Sequence, residues 1–277
     1  LMNYSIKTAF LLLSIFCISI VHAQDDYERY GIDDSSKFFI GANINAFFPN
    51  HNTAVLYSGM PSVTQFNIPY ILSRPENQQT FDDFFRAPYQ VAEYPLESRY
   101  RTTVELGLHI LYKPLKDLGF FLDFNVAQLD YEQFFTMQVD DPNNNIPGPT
   151  LLRFPIIGEE NRFNLNLGIQ YFYYRGESSR AFISAYGNVN NISMQSNYIV
   201  IDNIRYDIFH LNNNSADLQV GGNGIGAGVG MGFQFDLTEV MLADIHYQLT
   251  HAQVNLTEQF NERGLQNSLG IRVLWKL

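Results

Sequence analysis

The chain has 277 residues, of which 46% are hydrophobic and only 16% are charged, where soluble domains carry roughly a quarter. A net charge of −11 excludes nucleic acid as a partner, because phosphate binding needs clustered Lys and Arg. Aromatic content is high, with 23 Phe and 17 Tyr.

The first element in chain order is a targeting segment. Lys7 supplies a positive start, and Ala9 to Val21 is an apolar run too short to span a bilayer comfortably. Val21-His22-Ala23 fits a small-residue cleavage site. Residues 1–23 are therefore expected to be a signal peptide, residues 24–35 a short periplasmic segment and residues 36–277 the folded domain. Cys17, the one cysteine, lies within the signal, with Phe16 where a lipoprotein box wants a small residue. The mature chain then has no disulfide, thiolate metal site or Cys nucleophile. No later run of about 18 apolar residues follows, so no transmembrane helix is expected. The other way to satisfy every backbone polar group in lipid is a closed barrel.

Period-2 alternation dominates the rest of the chain. The first strand sets Phe38, Ile40, Ala42, Ile44, Ala46 and Phe48 against Gly41, Asn43 and Asn45. The second sets Val104, Leu106, Leu108, Ile110 and Tyr112 against Thr103, Glu105, Gly107, His109 and Lys113. The third sets Phe120, Leu122, Phe124 and Val126 against Asp123 and Asn125, and its alternation slips near Gln128, which reads as a bulge. The fourth runs from Phe163 to Tyr173 and the fifth from Ile183 to Asn190. In the sixth, Ile225 to Phe235 alternate with glycines from Gly224 to Gly232. The seventh runs from Met241 to Thr250, and the eighth ends on Leu277. The polar faces are mostly Asn, Gln, Ser and Gly, unlike the water-facing side of a soluble sandwich.

Short turns follow strands two, four and six, at Pro114–Gly119, Arg175–Ser179 and Leu237–Glu239. Long loops follow strands one, three, five and seven, at Pro49–Arg101, Asp140–Glu160, Asp202–Asn223 and Thr257–Arg263. This order predicts an all-β, eight-stranded antiparallel up-and-down transmembrane barrel with short turns and both termini periplasmic. Ala54–Tyr57 and Phe66–Leu72 suggest an extra hairpin and hence ten strands as a second choice, though Pro69 and Pro75 weigh against it.

With these eight strands and the ending Leu269–Leu277 (LGIRVLWKL) on the page, the chain resembles the small outer-membrane barrels of the outer membrane protein A/X type and the PorT-like β-barrel proteins. The ending is similar to the terminal strand signal of that group, with Trp275 two residues before Leu277. The resemblance implies a bacterial outer-membrane location and insertion by the barrel-assembly machinery. It is architectural and implies no particular activity.

The glycines between Gly222 and Gly232 recur every second residue, which no dinucleotide-binding loop does. They read as a strand whose inner face makes room for bulky neighbours such as Tyr186 or Leu242. Inside so narrow a barrel, Glu105, His109, Asp123, Asp244, His246 and Arg272 are expected to form a polar network that fills the lumen. Asp244 pairs with Arg272 in height and His109 with Asp123; the competing reading is a proton or ion path. Tyr112, Tyr171, Tyr173 and Trp275 form an expected interfacial aromatic girdle. His251, with Ser193 and Ser196 on another strand, is the one constellation that suggests a lipid-modifying enzyme. Asp82, Asp83, Glu93, Asp140, Asp141, Glu159 and Glu160 are read as solvated loop acids with no calcium-loop spacing. Phe81, Phe84, Phe85 and Tyr89 either anchor a partner or pack over the barrel mouth.

No catalytic residue, cofactor or metal site is therefore expected. The expected role is a structural, adhesion or partner-binding envelope component acting through its outer loops. Its expected surroundings are outer-membrane lipid and lipopolysaccharide, with an envelope protein as a further partner. A small-solute channel is the alternative, followed by a lipid A-modifying enzyme.

Overall fold

The computed structural model describes residues 38–141, 148–209, 220–257 and 260–277. The expected signal peptide and periplasmic segment lie outside the described residues. The strands are β1 (Phe38–Phe48), β2 (Tyr89–Glu93), β3 (Thr103–Tyr112), β4 (Leu118–Val139), β5 (Thr150–Arg175), β6 (Ser179–Ile201), β7 (Ile204–Asp207), β8 (Gly221–Asp236), β9 (Met241–Asn255) and β10 (Asn261–Lys276). Eight of them close a ring, β1-β3-β4-β5-β6-β8-β9-β10, with every neighbouring pair antiparallel and β10 returning to β1. The chain is thus an eight-stranded antiparallel up-and-down barrel. Closure leaves no free edge around the ring, the one arrangement of strands that satisfies its own backbone.

The two remaining strands extend the wall on one side. β2 pairs with the far end of β4, and β7 with the far end of β6. Strands β4, β5 and β6 therefore rise past the ring at the long-loop end as a lip. The suggested extra hairpin within residues 49–101 is helical instead. A 3₁₀ turn spans Asn52–Ser58, and helices α1 (Ile68–Ser73) and α2 (Pro75–Phe85) follow. Pro69 and Pro75 each sit in a first helical turn, where a fixed φ helps and the missing N–H costs nothing. The Asn67 side chain caps α1 by accepting from the Tyr70 N–H at 2.9 Å.

The loop bounds differ from the sequence reading, and the loop placed at Thr257–Arg263 ends where β10 begins at Asn261. The loop placed at Asp140–Glu160 ends early, because β5 already begins at Thr150. The loop placed at Asp202–Asn223 starts with a hairpin, in which Asp202 and Asn203 both adopt positive φ as a type I′ turn requires. No bulge occurs at Gln128, which pairs with Asn161 in unbroken register. Within the ring the register shifts lie between β5 and β6, where Tyr173 and Gln195 are the extra residues, and a further shift at Ala92 lies between β2 and β4.

What changes at Gln128 is polarity, not phase. Below it, β4 turns Phe124 and Val126 outward and buries Asp123 and Asn125; above it, Gln128 and Asp130 face out while Ala127, Leu129 and Tyr131 are buried. β9 makes the same exchange, with Tyr247 and Leu249 outside against Gln248 and Thr250 inside, then His251 and Gln253 outside against Ala252 and Val254 inside. The lower outward face is an apolar band whose residues are strongly exposed, among them Leu106, Leu108, Leu167 and Val229 at 57–66%. So large an apolar surface is a liability in water and the natural surface of a barrel in lipid.

Candidate functional site: the filled lumen and its cap

The interior is built in tiers, each set by cross-strand register. At the short-turn end, Phe39, Leu111, Phe121, Phe172, Phe182, Leu242 and Leu274 pack into an apolar floor. The Lys113 ammonium is buried there, 4.7 Å from the Phe172 ring centre and 5.6 Å from that of Phe39.

Above the floor lies the charged tier. Arg272 is directly opposite Asp244 on β9, and His109 on β3 is directly opposite Asp123 on β4. The Arg272 guanidinium joins the two pairs. Its Nη1 donates to Asp244 Oδ2 at 3.3 Å, and its Nη2 faces both Asp123 carboxylate oxygens at 3.3 and 3.4 Å. His109 Nδ1 hydrogen-bonds Asp123 Oδ1, and Gln248 donates to the other Asp123 oxygen at 3.2 Å. From Asp244 the hydrogen bonds continue through Gln234 to Arg180 and Asp236 at the short-turn rim. All of these groups except Asp236 are buried, so each charge depends on its partners in place of water.

Glu105 does not join that cluster. It sits one tier higher, where its carboxylate accepts from Asn45 at 3.0 Å and Asn164 at 3.3 Å. Around it, Asn43 donates to Asn125, and Asn188 to Asn166. His246 is buried beside the charged tier and makes no side-chain hydrogen bond.

The uppermost polar tier was not visible in the sequence. Glu160, read there as a solvated loop acid, points inward from β5 and is fully buried. It accepts from the hydroxyls of Tyr57 at 3.0 Å and Tyr100 at 2.8 Å, and from Arg162 Nε at 2.6 Å. Arg162 also lies over the Tyr100 ring and reaches Gln266 on β10. Burial, then the Glu160 carboxylate, push the Tyr57 and Tyr100 phenols well above their usual range. The signal that marks Glu160 and Arg162 is their parity with Asn164 and Asn166, which becomes readable once β5 is extended to Thr150.

Over this tier the cap closes with an apolar cluster that includes Ala54, Leu56, Ile68, Phe81, Phe85, Leu129 and Ile156. Of the two readings of the loop aromatics, the structure shows packing over the mouth. Phe81 contacts Tyr206 on β7 at 4.7 Å between ring centres, and Phe84 and Phe85 both meet Phe154 on β5.

The four girdle residues lie outside, at the short-turn end of the apolar band: Tyr171, Tyr173 and Trp275 are exposed, and Tyr112 stacks on Phe38. His251 faces outward on β9 opposite Ala227 of β8, while Ser193 lies opposite Gly221 at the far end of β8 and Ser196 is buried beyond it on β6. The inner-face glycines of β8 make room as expected for Tyr186, which lies against Gly228, and also for Phe182 against Gly232. Leu242 belongs to the floor instead.

No protein-family model matches the chain. No curated protein matches it either. Among solved structures it is similar to Neisserial surface protein A, with 11% identity and a TM-score of 0.45 over 87% of this chain and 97% of that one. It is also similar to the outer membrane protein OprG of Pseudomonas aeruginosa, with 12% identity and a TM-score of 0.38 over 87% and 96%. A third is the attachment invasion locus protein Ail of Yersinia pestis, with 10% identity and a TM-score of 0.33 over 87% and 96%. Likeness this distant carries no weight of its own, and the fold stands on the closed register.

Proposed function

We propose that the chain is an integral barrel of a bacterial outer membrane that acts as an anchor. Its lumen is filled and its folded long-loop crown serves as a structural, adhesion or partner-binding surface. In this reading the short turns and both ends of the barrel face the periplasm. Lipopolysaccharide and phospholipid surround the apolar band, and the barrel-assembly machinery inserts the chain. The resemblance of Leu269–Leu277 to the outer membrane protein A/X and PorT-like terminal strand supports the same reading.

The observation that carries it is the tiered interior. Apolar floor, charged tier, carboxamide tier, Glu160 tier and apolar cap follow one another along the axis. An eight-stranded barrel is just wide enough to be filled by its own side chains, and here the filling is hydrogen-bonded across strands. Solute passage would require breaking several buried charge-assisted bonds at once.

Planar-bilayer recording of the purified protein tests this: the expected trace shows no stable openings. Reproducible single-channel steps would sink the anchor and favour a small-solute channel. Pull-down from solubilised envelopes is expected to recover a protein partner that is lost when the crown residues 60–95 are deleted. We infer no catalysis, since His251 is opposite Ala227 of β8 whereas Ser193 is opposite Gly221, roughly 20 Å farther along the same strand; deacylation or palmitoylation of lipid A by the purified protein would overturn that.

A further inference from the structure

Beside the charged tier lies a small internal cavity of about 10 Å³, lined by Gln170, His246, Arg272, Phe121, Phe182 and Ser184 among others. That volume is about what one water molecule needs. Three of the lining residues carry buried nitrogens with no hydrogen-bond partner in the protein: Gln170 Nε2, Arg272 Nε and both ring nitrogens of His246. Gln170 is 1% exposed, Arg272 2% and His246 3%. The rest of the Arg272 guanidinium is engaged, with Nη1 and Nη2 placed on Asp244 and Asp123.

We propose that this cavity is a binding site for a single structural water, bridging His246, the Arg272 Nε–H and the Gln170 amide. Unpaired buried polar groups are costly, and three converging on one water-sized space are the usual surroundings of an internal water, which makes about three hydrogen bonds. The chemistry of the lining chooses between water and a small anion. Arg272 and Gln170 offer donors, which either would accept. The guanidinium, however, already faces two carboxylates, so the tier has no surplus positive charge to hold an anion. His246 fits water better as well, because the ring nitrogen that faces the cavity is a donor or an acceptor according to tautomer, and water can answer either whereas an anion only accepts. The water would complete the hydrogen bonding of Arg272 and give one His246 ring nitrogen a polar partner. The site depends on the barrel fold alone, whatever the crown binds.

The test is water-selective nuclear Overhauser spectroscopy on the full chain in detergent micelles, with histidine and glutamine side chains isotopically labelled. A long-lived water cross-peak to the His246 ring and to the Gln170 amide protons is expected, unchanged when chloride is replaced by sulfate. It should be lost in His246→Leu. If that variant does not fold, Gln170→Met keeps the volume and removes one donor, and the His246 cross-peak should weaken. Absence of any water cross-peak in the wild-type barrel would show the cavity to be dry. A chloride-dependent shift of the Gln170 and His246 signals would show an anion site. Either result overturns the proposal.

Discussion

Arg272 is the residue on which most of the lumen's charge balance turns, because one guanidinium serves Asp123 and Asp244 from opposite sides. Arg272→Ala leaves two buried carboxylates facing each other. Breaking a buried pair in this way costs about 3–5 kcal/mol, so the variant should melt well below the parent when heat modifiability is followed in detergent. An unchanged melting temperature would count against the pairing. Further up, Tyr57 and Tyr100 carry phenol pKa values raised by burial and then by the Glu160 carboxylate. A neutral phenol favoured by the fold contributes stability that is fully present below about pH 10, the unfolded value. That contribution is lost as pH rises from there through the folded values. Ultraviolet titration should therefore show most phenols ionising near their normal pH and a small set ionising later, together with loosening of the cap. A single transition for all tyrosines would refute it. Glu160 is the reason these residues were hard to read: a carboxylate beside another in a polar stretch looks solvated, and only the strand's true start reveals that it points inward.

Among the elements, the pairing of large with absent side chains across β6 and β8 sets the packing. Tyr186 lies opposite Gly228, Ser184 opposite Gly230 and Phe182 opposite Gly232. A methyl group on Gly228 would overlap the Tyr186 ring, whereas at Gly187, on the outer face, it would meet open space. Gly228→Ala should cost about 1–3 kcal/mol by overpacking, and Gly187→Ala should stay within about 0.5 kcal/mol. Urea unfolding of the two variants in the same vesicles checks the contrast, and equal effects would mean that the glycines are not placed for packing. The alternation that made these strands legible in sequence is strong because lipid demands apolar residues on one side while the narrow lumen admits small polar ones on the other. It fails at Gln128 for an equally physical reason. There both surroundings change together, so the pattern inverts and resembles a slipped strand. The helices within residues 49–101 were missed because short apolar stretches such as Ala54–Tyr57 suit strand and helix alike, and Pro69 and Pro75 argued only against a spanning hairpin.

At the scale of the whole molecule, the ring is symmetric in connectivity but not in height. The lip formed by β4, β5 and β6 with β2 and β7 rises on one side; α2 packs against it through Phe81 and Phe85, and α1 joins the same apolar cluster through Ile68, Ile71 and Leu72. Trp275, the single tryptophan, marks the opposite end of the barrel. In vesicles, lipids brominated near the headgroup should quench its fluorescence more than lipids brominated deep in the chains; the reverse order would place Trp275 away from the interface. The exchange of polarity between wall faces, seen at Gln128 and again at His251, has a mechanical consequence. It draws a waterline around the molecule. Sinking the barrel by one residue pair would submerge Gln128, Asp130 and His251, and raising it would strip lipid from Val126 and Leu249. Because the strands are locked in one register, these penalties act together, and the barrel should ride at a fixed draught, neither bobbing nor tilting freely. Whatever the crown engages would then meet it at a constant height above the lipid.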